Sequence, residues 1–222
     1  LERKGFQDAI QAFASVIQKH PNCTLTIYGE GPYRASLESL INRLGLEEKV
    51  KLPGKFGIGG LENKSPDSYR EENISNLNSP NLPISNLQSP IPDLQSPNLS
   101  SLNPLNPNSL NLLLSSNCFL FPSWYEGFSG ALVEAMMAGI PIIASDIPMN
   151  LEAITDQVDG LTFPLGNSAE LQIKMQWMIE CPDEAKALGV AARKTATQRF
   201  DIEKIAREYE AVLRFIVKRK IS

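Results

Sequence analysis

Histidine and cysteine are scarce in this chain. One histidine, His20, and three cysteines, Cys23, Cys118 and Cys181, occur in 222 residues. Three thiols this far apart form no disulfide framework and match no zinc-ligand spacing, which fits a reducing compartment. His20, in "QKHPN", stands where a helix would end and suits its dipole. With so few His and Cys ligands, no protein-held metal is expected. Positive charge is also in short supply: the formal net charge is −4. That argues against nucleic acid as a partner, which needs a concentrated basic surface. The one basic cluster, Arg214, Lys218, Arg219 and Lys220, is first a solvated helix end and second a weak attraction to anionic lipid at the inner membrane face. Neither a signal peptide nor an apolar run of spanning length is present, so the expected location is cytoplasmic, at most peripheral to that membrane. The chain opens at Leu1, already inside a pattern, and is expected to be a piece of something longer.

Charge and aromatics nearly vanish from Asn73 to Asn117, where Asp93 is the only charged residue and no aromatic occurs. Ser, Asn, Pro and Leu dominate, and "NLQSP" at Asn86 returns as "DLQSP" at Asp93. A heptad can mean a coiled coil, but Pro80, Pro83, Pro90, Pro92, Pro97, Pro104 and Pro107 exclude a continuous helix. Such a composition does not offset its ordering entropy. Residues 57–111 are therefore expected to be a flexible low-complexity repeat, inserted in a surface connection and without a function of its own.

The rest of the chain alternates short apolar runs with helical periodicity. Phe6, Ala9, Ile10, Phe13, Val16 and Ile17 predict a helix over 6–19, and "TLTIY" predicts a strand closed by the turn Gly29–Glu30–Gly31–Pro32. Leu37, Leu40, Ile41 and Leu44 predict a second helix that Gly45 stops. "KVKLPG", "CFLFPS", "PIIASD" and "GLTFPL" read as strands, and "GALVEAMMAG" as a helix closed by Gly139. Three helices finish the chain, one starting at Asn167–Ser168, one within "DEAKALGVAARKTATQ", and one running from Ile202 to Arg214. This order predicts an α/β fold with a doubly wound, Rossmann-like parallel sheet. Ligands of such sheets bind beyond the carboxyl ends of the strands, the rim on which these glycine-bearing turns lie.

On that rim, "PSWYEGFSGALVEAMMAG" places Glu126 before a glycine-bearing turn and Glu134 one helical turn into the helix after it. Free N–H groups at the helix start near Ser129 suit an anion, and a phosphate there gains up to about 2 kcal/mol from the dipole. Gly127 and Gly130 let a ligand approach the backbone. Two carboxylates flanking a phosphate make sense as acceptors for hydroxyls on either side of a diphosphate, a sugar on one side and a ribose on the other. Spacing alone also fits two solvated glutamates. Glu30 lies on the same rim, as a ligand contact or a plain turn carboxylate. Asp146 and Glu152 touch a sugar or cap a helix, and Trp124 and Tyr125 line a pocket or pack at a strand end. Met136 and Met137 read as core.

The phrase "FPSWYEGFSGALVEAMMAGIPIIASD" resembles the signature of the retaining glycosyltransferases of group 1, enzymes of two Rossmann domains in the GT-B architecture. "LERKGFQDAIQAF", "IYGEGP", "VKLPG" and "DGLTFPLGN" resemble further segments in the family's order. The likeness covers residues 1–56 and 112–215, and the nucleotide-sugar-binding domain is taken as 1–56 and 112–222. It implies that Glu134 binds ribose hydroxyls and that Glu126 lies by the transferred sugar. It implies too that the backbone of Gly127, Phe128, Ser129, Gly130 and Ala131 meets sugar and phosphate. Lys4 would neutralise the diphosphate, and Lys55 and Phe56 would hold the base. The implied reaction is hexosyl transfer from a nucleotide-diphosphate sugar to a glycan, lipid or small-molecule acceptor, with retention and without a required metal or cofactor.

Against the family pattern, the amino-terminal acceptor domain, the first strand of this domain and a Gly-Arg pair before Lys4 are not in the chain. It is expected to be the donor-binding half of the enzyme. The alternative is a non-catalytic remnant or nucleotide-sugar-binding module. A phosphorylase, which needs a lysine for pyridoxal phosphate, an epimerase, and a hydrolase with two facing carboxylates fit less well.

Overall fold

The strand Ile142–Ser145 is buried along its whole length, and its side chains alternate between two separate cores. Ile142 and Ala144 enter one, and Ile143 enters the other. A strand covered on both faces is the centre of a layered α/β structure. The computed structural model describes residues 4–54 and 107–221. The reading of 57–111 as a repeat insertion, and the assignments of Lys55 and Phe56, fall wholly or largely outside them.

In chain order the elements are α1 (Phe6–Lys19), β1 (Leu25–Tyr28), α2 (Arg34–Leu44), β2 (Val50–Gly54), α3 (Pro107–Leu114), β3 (Phe119–Phe121), α4 (Gly130–Ala138), β4 (Ile142–Ser145), α5 (Pro148–Ala153), β5 (Leu161–Phe163), α6 (Ser168–Glu180), α7 (Pro182–Arg199) and α8 (Ile202–Ile221). All strand pairs are parallel. β3, β4 and β5 form one ladder with β4 in the middle, and β1 pairs with β2 in a second. Pro53 lacks a donor, and it is tolerated where β2, among the described residues, pairs with β1 alone.

Helix α1 is shared between cores. Ile10, Phe13 and Val16 pack with α2, β1 and β2, while the small Ala9 and Ala12 face Ile143, Leu161 and Leu171. On the opposite face α4 and α7 lie together over β3 and β4, with Leu132, Ala135, Met136, Ala192 and Ala196 buried. Met136 is fully buried and Met137 packs against the same core from a half-buried position. Backbone approach there is very close: a β-carbon on Gly189 would lie 2.4 Å from the Gly139 carbonyl oxygen. Gly189→Ala is therefore expected to cost about 1–3 kcal/mol by forcing α7 off α4. A thermal unfolding midpoint within error of the parent would contradict it.

Gly45 and Gly139 end α2 and α4 in the left-handed conformation, as their positions predict. Three elements differ from the sequence expectation. The boundary drawn at residue 111 falls inside α3, which Pro107 opens; a proline is suited to a first helical turn. The six-residue α5 is too short for a visible period. The last helix continues beyond the expected Arg214 to Ile221 and leaves Tyr209, Val212, Leu213, Phe215 and Ile216 exposed. Among the described residues no helix is long and apolar enough to cross a membrane.

Candidate donor site at the strand ends

The strand–turn–helix from β3 to α4 builds the centre of the site. Ser129 is the N-cap of α4, and its hydroxyl accepts the Leu132 N–H at 3.4 Å. Gly130 and Ala131 precede any intrahelical acceptor, so their N–H groups point to the rim. No acidic residue occupies the first turn of α4, so its positive dipole end is not compensated by the chain itself. A β-carbon on Gly127 or on Gly130 would meet nothing within 4 Å. Packing does not require glycine at either position. Gly130→Ala is accordingly expected to leave the fold as stable or to gain up to about 1 kcal/mol of helix propensity. A lowered unfolding midpoint would show that the glycine serves the fold.

Glu134 lies one turn into α4 and is half-buried. Burial pushes its carboxyl above the ordinary value, and among the described residues it has no hydrogen-bond or ion-pair partner. Glu126 has one. Its Oε1 lies 2.5 Å from Lys4 Nζ, joining residues 122 positions apart. Gly5, at φ 67°, brings Lys4 there: a β-carbon on Gly5 would lie 1.8 Å from the Pro122 carbonyl oxygen. The first turn of α1 is thus pressed against the chain leaving β3.

Glu30 lies apart from this group. Its carboxylate accepts from Arg34 Nη1 at 3.0 Å and would lie 2.6 Å from a Gly54 β-carbon, closing the rim over the end of β2. Arg34 Nη2 also donates to the Leu52 carbonyl at 2.7 Å, so here the carboxylate has a structural partner. Phe128 is exposed and meets Phe200 edge-on at 5.6 Å. Asp146 accepts the Leu165 N–H at 3.0 Å and ties the turn after β5 to the end of β4. The Glu152 carbonyl accepts from Arg199 Nη2 at 2.6 Å, while its side chain is exposed. His20 pairs with Glu180 at 3.2 Å.

Two features escaped the sequence. Under the rim, Ser145 Oγ donates to the Ser123 carbonyl at 2.5 Å, and Asn150 Nδ2 donates to the Ser145 carbonyl at 2.9 Å. All three residues are buried, and they fasten the start of the β3–α4 loop to β4 and α5. Polar residues closing the apolar runs "FPS" and "IIAS" were the only trace of this. The second feature is Asp8, buried in the first turn of α1, which accepts the Trp124 indole N–H at 2.6 Å. Asp156 and Asp159 hold the loop before β5. Burial alone would raise Asp156, but the Thr162 N–H, Gln157 and Lys174 outweigh it and leave it below the ordinary value. Burial pushes the Cys118 thiol up to about 12, so it is no thiolate near neutrality.

Comparison with known proteins places the chain in a family. The family model "Glycosyl transferases group 1" matches residues 1–57 and 101–195. An uncharacterized glycosyltransferase, MJ1059, of Methanocaldococcus jannaschii is 24% identical over 245 residues, covering 96% of this chain and 47% of its own length. The crystal structure of Anabaena Alr3699/HepE in complex with UDP superposes with a TM-score of 0.69 at 22% identity, over 96% of this chain and 46% of that one. The C-terminal domain of a group 1 family glycosyl transferase (LpcC) from Francisella tularensis superposes with a TM-score of 0.62 at 17% identity, over 91% of this chain and 82% of that one. The chain thus spans about half the length of MJ1059 and of HepE. With its parallel α/β layers and the matched segments on one rim, the chain belongs to the glycosyl transferases of group 1, of GT-B type.

Proposed function

We propose that this chain is the donor-binding half of a retaining hexosyltransferase that uses a nucleotide-diphosphate sugar. The observation that carries the reading is the start of α4. It offers N–H groups and a first turn without an acidic residue to an anion, with open space over Gly127 and Gly130 and with Glu134, unpartnered among the described residues, at its side. The HepE complex with UDP supports a nucleotide diphosphate as that anion.

In this reading the diphosphate lies on the α4 start, and Glu134 accepts from the ribose hydroxyls. Glu126 faces the hexose, and Lys4 answers the charge of the departing diphosphate. The anomeric carbon–oxygen bond to the diphosphate breaks and a bond to the acceptor oxygen forms on the same face. The acceptor's proton leaves with the diphosphate. Stabilising the leaving group is the main catalytic contribution, and Lys4 and the helix start supply it without a required metal. Because Lys4 is held by Glu126, its charge is already shared before the donor arrives. The acceptor in this reading is a glycan, a lipid or a small molecule.

Calorimetric titration of the chain with UDP-, GDP- and ADP-hexoses tests the proposal. Saturable binding of one of them supports it and names the nucleotide. No binding of any, by a chain shown to be folded by circular dichroism, would refute it.

A further inference from the structure

We infer that Asp8 is a positioning residue of the donor site: its carboxylate fixes the Trp124 indole and, through it, the stretch of chain that carries Glu126. This rests on the donor-site reading and extends it to a residue inside α1. Asp8 is 7% exposed, and its Oδ2 lies 2.6 Å from Trp124 Nε1. A carboxylate that deep is costly unless it is bonded. The indole N–H and the positive end of α1 satisfy it. A charge-assisted bond of this kind fixes direction as well as distance.

Trp124 is anchored at its polar tip yet 41% exposed along its side. Ring carbon Cζ2, two bonds from Nε1, lies 4.0 Å from where a Gly166 β-carbon would be, in the turn after β5. The indole therefore reaches from α1 to the β5–α6 turn, and the chain two residues further on carries Glu126. Three alternate residues of this stretch meet the start of α1 and the two residues before it. The Pro122 backbone lies on Gly5, Trp124 bonds Asp8, and Glu126 bonds Lys4. The first contact stands four residues away from Glu126, and the last depends on the long, flexible Lys4. The middle contact is short and directional, and it governs where Glu126 stands. Its loss should be felt at the sugar and diphosphate end of the donor, beside Glu126 and Lys4, and not at the nucleoside end beside Glu134.

The test is calorimetric titration of the chain and three variants with the UDP-, GDP- and ADP-hexoses and with the matching nucleoside monophosphates. Asp8→Ala and Trp124→Phe should each weaken the sugar nucleotide about tenfold, since small misplacements at a reacting centre are costly. The monophosphate should stay within about twofold of the parent, because it lacks the groups that Glu126 and Lys4 address. Asp8→Asn, whose amide oxygen still accepts from the indole, should recover most of the loss. Trp124→Phe keeps the aromatic bulk and decides the matter if Asp8→Ala does not fold. Equal losses for both ligands, unchanged sugar-nucleotide affinity, or no recovery by Asp8→Asn would each overturn the inference. A parent chain that binds no sugar nucleotide overturns the donor-site reading and this inference together. A parent that binds while the variants match it overturns this inference alone.

Discussion

Glu134→Ala is expected to weaken binding of the sugar nucleotide by about tenfold or more, since each charge-assisted hydrogen bond from ribose is worth roughly 1.5–3 kcal/mol. The same substitution should leave the unfolding midpoint unchanged or raise it. Burial holds the Glu134 carboxyl above its ordinary value of 4.5, so the folded chain binds the proton more tightly than the unfolded one. Its contribution to stability is fully present below that value and is lost as pH rises through the raised one. Near neutrality the ionised carboxylate is a cost to the fold, and alanine, the best helix former, removes it. In the proposed donor site affinity has the opposite sign, because ribose hydroxyls would donate best to the ionised form. Unfolding free energies of parent and variant from about pH 4 upward should therefore diverge in the variant's favour, while donor affinity of the parent rises over the same interval. A variant that loses stability and keeps its affinity would make Glu134 a residue of the fold and not of the site.

Gly5→Ala should produce the largest loss of stability. At φ 67° a side chain is strained, and its β-carbon would meet the Pro122 carbonyl oxygen at 1.8 Å and carbon at 2.8 Å. These are backbone atoms, with no rotamer to give way. The left-handed conformation costs about 1–2 kcal/mol and the overlap about 1–3 more. A total of about 2–5 kcal/mol corresponds to a fall of roughly 5–15 °C in the midpoint for a chain of this size. Relief requires α1 to move away from the chain leaving β3, which would part Lys4 from Glu126 and Asp8 from Trp124. Donor affinity should fall with stability, in contrast to Gly130→Ala, where the fold is spared. A Gly5→Ala midpoint within about 2 °C of the parent would show that the approach of α1 to Pro122 is easily relaxed.

The glycines show where the sequence was readable. Gly45 and Gly139 stop helices, and each could be placed from the end of an apolar period. Gly5 and Gly189 meet backbone that arrives from elsewhere in the chain, at Pro122 and at Gly139. No local pattern announces such a neighbour. The same division separates the carboxylates. Glu126 and Glu134 were legible because a strand, a turn and a helix lie in consecutive residues. Asp8 looked like an ordinary acid in a helix's first turn, and only its burial beneath Trp124 distinguishes it. α5 was lost for another reason, since its six residues complete fewer than two turns.

By itself the sequence determined the alternation of strands and helices, the helix stops and the rim on which the candidate residues lie. Each comes from periods and backbone preferences that act over a few neighbouring residues. Tertiary structure alone decided that Lys4 meets Glu126 across 122 positions and Asp8 meets Trp124 across 116. Those pairs exist because parallel strands bring the start of α1 and the end of β3 to the same rim, and a glycine without a side chain lets the two backbones touch.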